Sequence, residues 1–251
     1  MILSPPVVGF LTTGTLLTRM ETTGTRRISR FFGGKIEEVE DLLAVEEDFV
    51  LTANGGPILS ASCSPGNSRE LAYGALLSRG IIHTANDVLS LKVQGAHLSV
   101  EVRANVPGLV VPIDSSFTLP IESLIAVGRE CGDRAVVFRE TGGTHAAALG
   151  DSTGIESFFE DISRTCALEK AVGDGLLRGI DFSKTFIFLS SRVPKGMVEK
   201  AARCGIPIIA GVSAPTLQAV ELAERLGVCL CGFVRGERLN IYANSWRVEH
   251  R

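Results

Sequence analysis

Three arginines stand where a phosphate-bearing ligand would need them. Arg192 follows the apolar run at residues 186–191, and Arg235 and Arg238 follow the run at 228–234. A guanidinium offers phosphate two parallel hydrogen bonds, which a lysine ammonium does not. Between them, Ser213-Ala214-Pro215-Thr216 closes a third run at 206–212. If these runs are parallel strands, their C-terminal ends share one edge, and open α/β sheets bind ligands at that edge. Helices opening at Pro194 and Pro215 would add free backbone N–H groups and partial positive charge there. The competing reading pairs the arginines with Glu199 or Glu237 at the surface.

A second constellation is Thr141-Gly142-Gly143-Thr144-His145. We expect a strand at 135–140, a turn through the two glycines and a helical Ala146–Leu149. Such a turn lets backbone approach a ligand closely. His145, in the first helical turn, titrates near neutrality and suits general acid or base work. A structural βα turn explains the same residues equally well.

Six cysteines occur, at 63, 131, 166, 204, 229 and 231, with no C-x-x-C pair. Most read as small buried hydrophobes. Cys131, between Glu130 and Gly132, reads as more exposed. Cys166 follows Arg164, which would lower its pKa if the side chains meet. These two are the candidate nucleophiles. The four histidines are scattered, so no metal site is expected, and the Walker phosphate loop is absent.

The elements that must position these residues are legible in part. Residues 186–243 read as strand 186–191, helix 194–204, strand 206–212, helix 215–226 and strands 228–234 and 239–243. Pro194 and Pro215 suit first-turn positions, and Gly205 and Gly227 suit helix ends. Upstream, residues 1–40 suggest a hairpin or two, and 43–52 a strand. Asn54-Gly55 signals a type I′ hairpin turn, returning through 57–62. Asn67 or Ser68 caps a helix that Gly80 ends, and strands follow at 87–93 and 97–102. Residues 106–120 form a Pro-interrupted linker, followed by a helix over 121–131 and another from about 155 to 177. The fold class is therefore α/β, with a β-rich N-terminal domain at 1–111, a linker at 112–120 and a C-terminal domain at 121–251.

The totals exclude several roles. Net charge is −3 across 251 residues, with one Trp and two Tyr, so a nucleic-acid binder's basic, stacking surface is missing. No segment approaches the ~18 consecutive apolar residues of a membrane span. Residues 7–17 make a poor signal peptide. Unpaired cysteines then point to a reducing cytoplasm.

In order along the chain stand Glu46 near Asn54-Gly55, Ser64-Pro65-Gly66 with Leu71-Ala72-x-Gly74, Thr141-Gly142-Gly143-Thr144-His145-Ala146-Ala147, Ser213-Ala214-Pro215-Thr216 and Gly232-Phe233-Val234-Arg235. From about Asp41 onward, this series resembles the formate dehydrogenase accessory sulfurtransferase family. The resemblance implies a C-terminal three-layer domain of cytidine-deaminase-like fold without zinc. It implies sulfur taken from a cysteine desulfurase and passed to the molybdenum or tungsten bis-guanine-dinucleotide pterin cofactor of formate dehydrogenase. The cofactor-binding stretch maps onto Phe233, Val234, Arg235, Gly236, Glu237 and Arg238, joined by Thr141, Gly142, Gly143, Arg192, Ser213 and Thr216. A homodimer fits the family type.

The chain departs from that pattern. The family's Cys-Gly-x-Cys-Gly loop falls near residues 112–118, which hold no cysteine. A persulfide relay needs a thiolate, so Cys166 and Cys131 are the thiols left to carry it. Two readings from other classes stand beside this one. The first is an enzyme acting on a free nucleotide with His145 as acid or base. The second is an interaction module that keeps the fold without either activity.

Overall fold

The structure is a computed structural model, and it describes residues 22–103 and 109–250. Two long strands, β1 (Thr23–Phe32) and β2 (Lys35–Ala44), form an antiparallel hairpin. The part of the expected hairpins before Thr22 lies outside the described residues, as do residues 7–17. Next come β3 (Glu47–Ala53), β4 (Gly56–Cys63), helix α1 (Ser68–Ser78), β5 (Val88–Gln94) and β6 (His97–Val102). These strands make a four-stranded sheet in the order β4-β3-β6-β5, with β3 and β6 parallel. Asn54 and Gly55 have φ of 49° and 76°, the left-handed pair that a type I′ turn requires. Phe49 and Leu51 on β3 and Leu98 and Val100 on β6 point inward, each two residues from the next, as a half-buried sheet dictates. Asn67 does occupy the N-cap of α1, but its side chain makes no capping bond.

The C-terminal half begins with β7 (Leu119–Pro120), α2 (Ile121–Arg134) and α3 (Val136–Thr141). It continues through β8 (His145–Asp151), β9 (Gly154–Asp161), α4 (Arg164–Arg178), β10 (Phe186–Leu189), α5 (Lys195–Arg203) and β11 (Ile208–Gly211). It ends with α6 (Leu217–Leu226), β12 (Cys229–Arg235), β13 (Arg238–Ala243) and β14 (Val248–Glu249). One six-stranded sheet runs β13-β12-β11-β10-β8-β9, parallel at β10, β11 and β12. Side chains alternate across it. Ile187, Leu189, Ile209 and Leu230 face α4, α5 and α6, while Phe186, Phe188, Ile208 and Cys231 face α2. The sheet is thus covered on both faces, as parallel strands require.

Two expectations are corrected here. Residues 136–141 are a helix and 145–151 a strand, the reverse of the order expected around Thr-Gly-Gly. Ala146, Ala147 and Ala148 favour helix intrinsically. However, β8 lies inside the sheet between β9 and β10, buried on both faces, where small side chains fit. The helix expected from 155 to 177 is also two elements. Gly154, at φ 137°, turns the chain into β9, and α4 starts only after Ser163, whose hydroxyl accepts from the Cys166 N–H at 3.4 Å.

The two halves meet where α1 crosses α4. A Cβ on Gly74 would lie 1.7 Å from the Glu169 carbonyl oxygen, and one on Gly173 would lie 1.8 Å from that of Glu70. The backbones therefore touch directly. Beside the crossing, Lys170 is sealed in the interior, 2.8 Å from Asp161 and donating to the Ser64 carbonyl at 2.7 Å. At the far end of the molecule, buried Arg247 donates to the carbonyls of Gly227, Ser115 and Phe117.

Candidate functional site

Three loops converge at the C-terminal ends of β10, β11 and β12. Val193 and Pro215 form a parallel bridge, with Val193 N–H to the Ala214 carbonyl at 3.2 Å and Thr216 N–H to the Val193 carbonyl at 3.2 Å. The loops after β10 and β11 are thereby fastened together. Gly232 admits this closeness, since a Cβ there would meet Pro215 at 3.0 Å. Beyond it Phe233 adopts φ 52° within a break in the β12–β13 register, and Arg235 Nε donates to the Val212 carbonyl at 2.8 Å.

Two cavities open at this edge. The first, of 240 Å³, is lined by Arg164, Thr165, Arg192, Met197, Lys200 and Thr216, with Pro194 and Gly196. It contains three cationic side chains and no carboxylate. The helices α4, α5 and α6 all begin at it, because Arg164, Pro194 and Thr216 are respectively the first residue of α4 and the N-caps of α5 and α6. The positive ends of three helix dipoles and fixed cations favour an anion here. Among the described residues Arg192, Arg235 and Arg238 make no ion pair, and Glu199 pairs with Arg203 instead.

The second cavity, of 520 Å³, is mainly apolar. Cys131, Ala135, Phe138, Ala146, Phe188, Val212 and Val234 line it, with His145, Ser190, Arg139 and Arg235 as its polar groups. Its volume falls within the ~300–1,000 Å³ usual for small-molecule sites. His145 opens β8 and is held beside β10, because the Ala146 N–H donates to Ser190 Oγ at 2.8 Å. Burial first, and then the Arg164 charge, push His145 below its ordinary pKa of 6.5. Since Arg164 lines the basic cavity, its charge reaches a wall of the apolar one.

The neutral imidazole has a measurable consequence. As pH falls below 6.5 the unfolded chain binds a proton that the folded chain resists. Stability is therefore complete above 6.5 and is lost on the way down to the folded-state value. We expect the melting temperature to fall between pH 7 and pH 5, and His145→Gln to flatten that slope. An unchanged slope in the variant would place its origin elsewhere.

The structure separates the expected site residues into groups. Arg192 and Thr216 meet at the basic cavity, and Cys131, His145, Val234 and Arg235 at the apolar one. Ser213 and Phe233 support the loops between them, the Phe233 N–H donating to the Ser213 carbonyl. Gly236, Glu237 and Arg238 form the exposed β12–β13 turn and line neither cavity. Thr141, Gly142 and Gly143 also line neither. They end α3, with Gly142 at φ 67° and Gly143 against Ala44 of β2. Arg164 and Lys200 are the residues that sequence reasoning left out of the anion site. Lys200 stands in the second turn of α5, where no spacing in the sequence marks it.

Both candidate thiols lie inside. Cys131 is 3% exposed and Cys166 is 1% exposed, which corrects the expectation that Cys131 is accessible. Burial holds the Cys131 thiol up at about 12 and the Cys166 thiol at about 11, so Arg164 does not activate Cys166. All six cysteines are free and buried. The segment near residues 112–118 lies at the opposite edge of the sheet. Ile113 N–H donates to the Leu226 carbonyl and Ser115 Oγ to that of Ser183, just before β12 and β10 begin. Among the described residues no cluster of His, Cys, Asp or Glu is arranged to hold a metal ion, and no helix is long and apolar enough to cross a membrane.

The sequence profile of the FdhD/NarQ family matches residues 107–249, which include both cavities. The chain belongs to the FdhD/NarQ family. The sulfur carrier protein FdhD of Methanothermobacter thermautotrophicus is 34% identical over 217 residues, covering 78% of this chain and 86% of that one. The protein of the same name from Sulfurisphaera tokodaii is 36% identical over 241 residues, covering 82% and 93%. A crystal structure from Desulfotalea psychrophila, named for a formate dehydrogenase accessory protein, superposes with a TM-score of 0.81 at 24% identity. It spans 91% of this chain and all of that one, and so establishes the shared fold. In this chain the two cavities lie on the two faces of a single strand edge.

Proposed function

We propose that this chain serves the maturation of formate dehydrogenase by binding the guanine-dinucleotide form of its pterin cofactor. One observation carries the reading. A basic cavity and an apolar cavity, neither lined by a carboxylate, flank the same three strand ends. The basic one suits phosphates. The apolar one suits a fused ring whose polar rim meets His145, Ser190 and Arg235. The names of the relatives, sulfur carriers and a formate dehydrogenase accessory protein, support the client. A cytoplasmic site of action, alongside a cysteine desulfurase, belongs to the same reading.

Cys131 supports a second reading, in which the chain also moves sulfur, because it lines the apolar cavity. Its thiolate would attack the outer sulfur of a desulfurase persulfide. One S–S bond would form on Cys131, and the desulfurase thiolate would leave. The raised pKa opposes this, so cofactor binding is the leading reading.

Guanosine diphosphate, a stable fragment of the cofactor, tests the proposal. Calorimetric titration should show saturable binding that the Arg164→Ala/Arg192→Ala pair removes. Absence of saturable binding in the parent chain would overturn it. In parallel, incubation with a cysteine desulfurase and cysteine should leave Cys166 unmodified by peptide mass. Sulfur on Cys131, lost in Cys131→Ser, would establish the second reading.

A further inference from the structure

One cation of the basic cavity is held in place from inside the protein. Lys200, in the second turn of α5, has its Nζ 2.6 Å from Glu169 Oε1. Glu169 is fully buried on α4. The same oxygen accepts from Arg79 Nη1 at 2.6 Å and from Ser78 Oγ at 3.1 Å. Its other oxygen, Oε2, is sealed without a hydrogen-bond partner among the described residues. Arg79, at the C-terminal end of α1, also donates to the Ala75 carbonyl at 2.9 Å and lines neither cavity.

One carboxylate therefore lies between two cations and cannot neutralise both. The cluster keeps one positive charge in surplus, and Lys200 is the member of it that borders the cavity. A long lysine side chain would otherwise wander among rotamers and lose that freedom on binding. Pinned at Oε1, it presents its ammonium from a fixed point.

We infer that Glu169 and Arg79 are positioning residues for a phosphate-class anion. Glu169 fixes the ammonium of Lys200 in the cavity wall. Arg79, by sharing Glu169, keeps that ammonium from being spent on the carboxylate. The inference rests on the anion-binding reading of the basic cavity and extends it to α1 in the N-terminal half. Because the anion and Glu169 share the Lys200 ammonium, and Glu169 is shared in turn with Arg79, the effects of Arg79 and the anion are coupled, and coupling of this kind is usually at least about fivefold.

Inorganic pyrophosphate, titrated into the full chain, is the probe. Arg79→Gln should weaken its binding about fivefold or more, and Arg79→Lys should largely restore it. Glu169→Gln should also weaken binding, although it removes a negative charge near an anion site. A mere change in the local field would tighten it. In a Lys200→Met background, Arg79→Gln should have no further effect. Tighter binding in Glu169→Gln, or an undiminished Arg79→Gln loss without Lys200, would overturn the inference. If the parent binds pyrophosphate and Lys200→Met binds equally well, only the inference falls. If the parent binds none, the anion reading falls and takes the inference with it. Arg79 is partly exposed, and its removal leaves Glu169 paired with Lys200, so the variant keeps its buried charge compensated.

Discussion

Replacing Gly173 by alanine is expected to destabilise the protein by about 3 kcal/mol, the upper end for overpacking. In a chain of this size that is roughly 10 °C in melting temperature. The new methyl carbon would sit 1.8 Å from the Glu70 carbonyl oxygen and 2.8 Å from the Gly74 nitrogen. These are backbone atoms of α1, and no flexible side-chain end can move aside. The helices must separate, and Ala72, Ala75, Ala167 and Ala171, which pack in the same core, would lose contacts with them. Gly74→Ala should behave alike, since its methyl meets the Glu169 carbonyl at 1.7 Å. Gly132→Ala, on an open face of α2, serves as the control. A Gly173→Ala variant melting within about 2 °C of the parent would refute the close crossing.

The second large effect concerns ligand binding. Arg192→Ala should weaken guanosine diphosphate by about 2 kcal/mol, roughly thirtyfold in Kd, as the loss of a charged hydrogen-bonding partner does. Arg164→Ala should match it, because the two guanidinium groups share one small cavity with no competing carboxylate. Arg238→Ala, in the exposed β12–β13 turn, should change Kd by less than about threefold, the scale of a screened surface charge. Titration calorimetry at two salt concentrations separates the cases. Equal losses for Arg192 and Arg238 would mean that only the general field of the edge attracts the ligand, and the cavity assignment would fail.

The terminal βαβαβ unit was legible because its punctuation and its periodicity agree. Pro194, Gly205, Pro215 and Gly227 bracket α5 and α6 to within about two residues, which is the scatter of any helix boundary. The region around Thr141–Gly143 was misread for a physical reason. A strand buried on both faces has no alternation to reveal it, and its alanines were selected by the packing of neighbours, not by backbone preference. The site was half legible. Arg192 and Arg235 announce themselves by standing at strand ends, while Arg164 and Lys200 lie on two separate helices that only the folded chain brings together. Cys131 and Cys166 show the converse. Charged neighbours in sequence suggested exposure and activation, yet the helices turn both thiols inward.

The order of strands in the larger sheet carries a kinetic consequence. From β8 to β13 paired strands are joined by a hairpin or by a crossover of one or two elements, so that sheet assembles through closures shorter than those of the N-terminal half. The N-terminal half instead docks through partners far apart in the chain. Arg79 and Glu169 are separated by 90 residues, and Ser64 and Lys170 by 106. Closing such loops is slow because the entropy is lost before the contacts reward it. During refolding the larger sheet is therefore expected to form first. Until α1 arrives, the alanine face of α4 stands bare to solvent, and that interval is when the chain is most prone to aggregate.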